Sequence, residues 1–121
     1  MSETRQETIT LWHNPRCSKS RQAKALLEER GVPLELRLYL EKPPSVKELE
    51  DLLHKLGAES LDLILRKKEA LYKELGLEGK PREEVLQAIA EHPKLLERPI
   101  AVRGKQARMG RPPEKVLELL A

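Results

Sequence analysis

One side chain in the chain occurs once and can act as a nucleophile: Cys17, inside the run HNPRCSKSR from His13 to Arg21. A thiol attacks only as its thiolate, and with an ordinary pKa of about 8.5 it is about 3% ionised at neutral pH. The residues around Cys17 bear on that fraction. Arg16, Lys19 and Arg21 are cationic, and His13 stands four positions upstream. Ser20 is placed either to donate its hydroxyl to the sulfur or to cap a helix start. Asn14 is expected to order the turn through side-chain-to-backbone hydrogen bonds. The competing reading makes Cys17 a small buried hydrophobe, since free cysteine is among the most buried residue types. Its polar neighbours Asn14, Arg16, Ser18, Lys19 and Ser20 argue against that.

The elements that must hold this thiol follow from periodicity. Ile9 and Leu11 alternate with Thr8 and Thr10, and Trp12 closes the run, which predicts a strand over 8–12. Ala23, Leu26 and Leu27 carry helical spacing to about Arg30, where Gly31 suits the cap. Pro15 marks the turn between them, so Cys17 falls at a helix N-terminus. Unpaired N–H groups and the helix dipole there favour a thiolate and would hold an anion against it. Leu34, Leu36, Leu38 and Leu40 alternate with polar residues, predicting a second strand, parallel to the first with a right-handed crossover.

Residues 45–95 read as a helical block. Ser45 and Glu48 have capping-box spacing ahead of Leu49, Leu52, Leu53 and Leu56, with Gly57 at the end. Further helices are expected over 60–68, 69–75 and from Pro81 to about Pro93. The end of the chain returns to β structure: strands over 99–102 and 106–109 joined at Gly104, then a helix opened by Pro112 and Pro113. The order βαβ, helices, ββα predicts an α/β fold with a four-stranded mixed sheet. Residues 1–7 are expected to form a flexible tail, and 8–121 a single domain.

HNPRCSKSR, followed by LRKKE, ERPI and RMGRPPE in that order, resembles the glutaredoxin-linked arsenate reductase (ArsC) family, most nearly its YfgD-like members. The resemblance covers nearly the whole chain and implies a thioredoxin-like fold. It also implies three oxyanion-binding arginines from separate segments, which fall on Arg66, Arg98 and Arg111. Arginine forks suit tetrahedral oxyanions better than ammonium groups. On residue pattern alone, Arg66 beside Lys67 and Lys68 reads as a solvated helix face. Arg108 is expected to point elsewhere. A cis Arg98–Pro99 bond is implied, with Pro99 facing the cysteine and aiming Arg98 at it. In the family the histidine at position 13 helps depress the thiol pKa; a neutral histidine bonded to the turn is the other reading. The chain departs from plasmid-type reductases in carrying Ser18-Lys19-Ser20 where they have Gly-Thr-Ser.

The implied reaction is reduction of arsenate to arsenite through a Cys17–arsenic adduct, in arsenic detoxification. With one cysteine in 121 residues, the resolving thiol must come from outside. Glutathione would act first and glutaredoxin would then reduce the mixed disulfide. Two other readings stand beside it. One is a different glutathione-linked thiol oxidoreductase; the other is a Spx-like regulator binding RNA polymerase, though those use C-x-x-C where Ser20 stands here.

Composition narrows the rest. Charged residues make up 36% and aromatics 2%, so aliphatic side chains must build the core. A net charge of +3 comes from 23 basic against 20 acidic residues, mixed along the chain without a basic block or stacking aromatics. Direct nucleic-acid binding is therefore not expected. No run approaches a membrane span, and no signal-peptide core opens the chain, so a cytoplasmic setting is expected. His54 and His92 fall on helix surfaces; no metal and no bound cofactor are expected.

Overall fold

The computed structural model describes residues 8–58 and 60–120, and the expected tail over residues 1–7 lies outside them. The described chain forms two compact units. One runs to Tyr39 and resumes at Arg98; the other is Leu40–Glu97.

The first unit is built on a four-stranded mixed sheet. Strand β1 (Ile9–Trp12) leads through the Cys17 turn to helix α1 (Ser18–Glu29), and strand β2 (Leu34–Arg37) returns parallel to β1. Strands β3 (Ile100–Arg103) and β4 (Gln106–Met109) form an antiparallel hairpin, with β3 beside β1, giving the order β2-β1-β3-β4. This is the thioredoxin-like arrangement that the order of elements predicted. Gly104 takes a φ of 60° in the hairpin turn, a left-handed conformation that costs glycine little.

Alternation decides which side chains build the core. Ile9 and Leu11 are fully buried on one face of β1, where Ala23 and Leu27 of α1 meet them. Ala101 of β3 and Val116 and Leu119 from the chain end complete the cluster. On the other face, Trp12 pairs in register with Arg37, whose guanidinium lies 4.9 Å from the ring centroid. The chain end, Pro113–Leu120, is a 3₁₀ helix rather than the expected α-helix. Its buried residues Pro113, Val116 and Leu119 fall three apart, the period at which 3₁₀ side chains stack on one face.

The second unit is helical. Helix α2 (Val46–Leu56) begins with the capping box: the Glu48 N–H donates to Ser45 Oγ at 3.1 Å, and the Ser45 N–H donates to Glu48 Oε1 at 3.0 Å. Gly57 ends it in a left-handed conformation. Helices α3 (Ala70–Glu74) and α4 (Arg82–Glu91) follow, and Arg82 reaches back to Glu50 of α2 at 2.7 Å.

Two further expectations are corrected. The strand expected to reach Leu40 ends at Arg37, because the chain turns at 39–41 around the buried Tyr39. The helix expected over 60–68 is only a 3₁₀ turn, Leu61–Leu63. Beyond it Leu65 bridges Leu96 antiparallel, and the Arg66 N–H donates to the Leu95 carbonyl at 2.8 Å. These long-range backbone bonds replace the local ones a helix would make. Among the described residues, no helix is long and apolar enough to cross a membrane.

Candidate active site

Cys17 occupies the N-cap of α1, half-buried, with extended backbone (φ −95°, ψ 125°). The turn before it is tied at several points. The Cys17 N–H donates to the Asn14 carbonyl at 2.9 Å, and the Arg16 N–H donates to Asn14 Oδ1 at 3.0 Å. Arg21 Nη1 donates to the Pro15 carbonyl at 2.9 Å. Asn14 therefore bonds the turn through its side chain and its backbone.

The ionisation of the sulfur is a balance. Burial works against the thiolate, but the backbone N–H of Ser20, the positive charge of Arg98, the backbone N–H of Lys19 and the Ser20 hydroxyl outweigh it, and the thiol pKa lies below its ordinary value. Lys19 and Ser20 are the second and third residues of α1, whose N–H groups have no partner within the helix. Ser20 is wholly buried, and its oxygen accepts from the Asn14 N–H at 3.4 Å. That contact occupies the oxygen and leaves the hydroxyl proton for the sulfur.

Arg98 and Arg111 come together in the same unit. Arg111 Nη1 donates to the Arg98 carbonyl at 3.0 Å, and the Gly110 N–H donates to the Pro99 carbonyl at 2.8 Å. The Arg98–Pro99 and Arg111–Pro112 peptides are both cis. Gly110 is a residue that the sequence reading passed over. A Cβ there would lie 2.7 Å from Pro99 Cγ and 3.0 Å from Val116 Cγ1, so only glycine fits without displacement. Its one sequence signal was its place between Met109 and Arg111, at the strand end.

The remaining predicted residues are placed differently. Arg66 belongs to the Leu40–Glu97 unit. There Nη1 donates to the Lys94 carbonyl at 3.2 Å, and Nη2 lies 3.5 Å from Glu69 Oε2. Glu69 also faces Lys94 Nζ at 3.5 Å, so one carboxylate holds two cations. Arg108 ion-pairs with Glu118 at 2.9 Å. His13 is 4% exposed; burial first, then the charges of Lys24 and Arg21, hold its pKa below the ordinary value. A neutral imidazole supplies no charge to the thiolate, and the cation that acts on the sulfur is Arg98. The Nδ1 of His13 is buried without a hydrogen-bond partner among the described residues. No group of three or more His, Cys, Asp or Glu among the described residues is placed to hold a metal ion.

Chemically, this is a thiolate stabilised at a helix N-terminus, with two arginines coupled to one another in the same unit. It can attack an electrophile and hold the negative charge that develops on its oxygens.

Comparison with known proteins places these features in context. The model of the ArsC family matches residues 12–119. The protein YfgD of Escherichia coli (strain K12), itself uncharacterized, is 50% identical over 114 residues, covering 93% of this chain and 96% of YfgD. An arsenate reductase of Neisseria meningitidis (serogroup A) is 49% identical over 114 residues, covering 93% of this chain and 97% of its own. Among solved structures, an arsenate reductase from Vibrio cholerae superposes with a TM-score of 0.90 at 49% identity, covering 93% of this chain and 98% of its own.

Proposed function

The chain belongs to the ArsC family, and on that premise we propose that it reduces arsenate to arsenite, with Cys17 as nucleophile and small thiols as the source of electrons. The observation that carries the reading is the place of Cys17 at the N-terminus of α1, where the Lys19 and Ser20 N–H groups and Arg98 favour its thiolate, in the unit where Arg111 bonds the Arg98 carbonyl. Two relatives described above are named arsenate reductases, which supports the choice of oxyanion.

The Cys17 thiolate attacks As(V) and displaces one oxygen as water, forming a sulfur–arsenic bond. Arg98 and Arg111 neutralise the arsenate oxygens. A glutathione thiolate then attacks the Cys17 sulfur. A sulfur–sulfur bond forms as the sulfur–arsenic bond breaks, and its electron pair stays on arsenic, reducing As(V) to As(III). Glutaredoxin exchanges the mixed disulfide and returns Cys17 to its thiolate. The external thiol is required because the chain has a single cysteine. A reducing cytoplasm is the setting in which such thiols are supplied.

The test is arsenate-dependent NADPH oxidation in the presence of glutathione, glutaredoxin and glutathione reductase. Turnover should vanish in Cys17→Ser and fall about 100-fold in Arg98→Ala, the scale of losing one donor to developing charge. Turnover that survives Cys17→Ser would remove the nucleophile from the reading. No turnover by the wild-type protein would remove arsenate.

A further inference from the structure

A groove of about 460 Å³ runs along α1 in the unit that carries Cys17, and no step above uses it. Its helical wall is Arg21, Lys24, Ala25 and Glu28. These sit at i, i+3, i+4 and i+7, one stripe of the helix, distinct from the Ser20, Ala23 and Leu27 stripe that faces the core. The facing wall is Leu36 of β2 and Leu38 just beyond it, with Leu36 38% exposed. β2 is the edge strand, so the groove opens at the side of the sheet. His13 and Pro15 complete its lining. Pro15 belongs to the turn that presents Cys17, and the Arg21 N–H bonds the Cys17 carbonyl at 3.0 Å.

Three properties of the groove describe its ligand. The first is size: Arg21 and Glu28 are seven residues apart on a helix, about 10 Å. Three residues of extended peptide span about the same length, and the volume lies in the range of small-ligand sites. The second is charge. Arg21, one turn from Cys17, has Nη1 on the Pro15 carbonyl at 2.9 Å, and Lys24, a turn further on, pairs with Glu28 at 3.1 Å, so the stripe is net positive with its carboxylate at the Glu28 end. A ligand with a carboxylate near the nucleophile and an ammonium away from it meets both. The third is the wall opposite the charged stripe, which is apolar. The apolar wall of Leu36 and Leu38 is unsuited to a bare oxyanion and suits the methylenes of a peptide.

We infer that this groove seats the thiol co-substrate, a short zwitterionic peptide thiol of about three residues, lying along α1 with a carboxylate on Arg21 and Lys24 and its ammonium toward Glu28. The inference rests on the reading that an external thiol resolves the Cys17 adduct, and it adds where that thiol is held. Binding is the readout, so no reaction step is needed to test it.

S-methylglutathione, which cannot exchange with a disulfide, is titrated into ¹⁵N-labelled Cys17→Ser protein and followed by amide chemical shifts. Saturable shifts should be confined to Arg21–Glu28, Leu36, Leu38 and His13, with a dissociation constant of about 1 mM, near −4 kcal/mol. Lys24→Glu, which reverses a charge, and Ala25→Phe, which fills the groove, should each weaken binding at least about fivefold. Their amide spectra would show that both variants remain folded. Absence of saturable shifts, shifts centred elsewhere, or an affinity indifferent to both substitutions would overturn the assignment. The arsenate assay fails separately. Turnover without binding in the groove removes only the groove; binding there without arsenate turnover keeps the groove and removes arsenate.

Discussion

The surroundings of Cys17 favour its thiolate against its own burial, and the two side chains among them can be removed singly. Alkylation of the thiol by iodoacetamide, followed against pH, should titrate with a midpoint below that of a free cysteine. Arg98→Ala and Ser20→Ala should each move the midpoint upward, since one removes a positive charge and the other a hydroxyl donor. A midpoint unmoved by both would mean the backbone N–H groups act alone. His13 makes an opposite kind of statement. Its folded-state pKa is depressed, so above the unfolded value of about 6.5 the imidazole is neutral in both states and costs nothing. As pH falls below that value the unfolded chain binds the proton first, and stability is lost progressively down through the folded pKa. The urea midpoint should therefore drop between pH 7 and 5.5, and His13→Gln should flatten the drop. At this scale much of the site was legible. A lone cysteine after a strand and before a helix, with Asn14 and Ser20 beside it, could be picked out by type and spacing. The choice between the two readings of His13 could not be made there, because burial is a property of the packed chain.

Local and long-range backbone bonds compete for each segment, and the outcome decides which elements could be read in advance. Helix α2 was legible because both ends carry their own signals: the Ser45–Glu48 box satisfies two donors at the start, and Gly57 takes the left-handed turn at the close. Ser45→Ala should destabilise the protein by about 1 kcal/mol, measured as a lower urea midpoint at unchanged slope. No change would mean that packing of Leu49, Leu52 and Leu53 alone holds the helix. The stretch around Arg66 was misread for the complementary reason. Leu61, Ile64 and Leu65 have helical spacing, but the Leu65–Leu96 bridge and the Glu97 N–H to Ile64 carbonyl bond at 2.6 Å claim its backbone. Nothing local announces a partner thirty residues away. The stripe Arg21, Lys24, Ala25 and Glu28 was overlooked similarly: a polar stripe reads as a solvated face until a strand with exposed leucines is set beside it.

Across the unit that carries the nucleophile, one apolar cluster ties β1, α1, β3 and the terminal 3₁₀ helix together. The position of Cys17 at the head of α1 and that of Arg98 at the entry to β3 are therefore set by shared packing. Gly110 is where that packing comes closest to the arginines, between Pro99 on one side and Val116 on the other. Two substitutions separate stability from positioning. Leu27→Ala opens a cavity in the cluster and should cost about 2–5 kcal/mol, with turnover per folded molecule nearly preserved. Gly110→Ala adds one methyl against Pro99 and should cost less, about 1–3 kcal/mol. Because Pro99 adjoins Arg98, and Arg111 bonds the Arg98 carbonyl, the displacement should lower arsenate turnover about tenfold or more. Denaturation midpoints and turnover corrected for the folded fraction, measured on both variants, give the comparison. If activity tracks stability equally in the two, Gly110 serves only the core. If Gly110→Ala loses activity beyond its loss of stability, the bare Cα at position 110 is what holds the paired arginines in register with the thiolate.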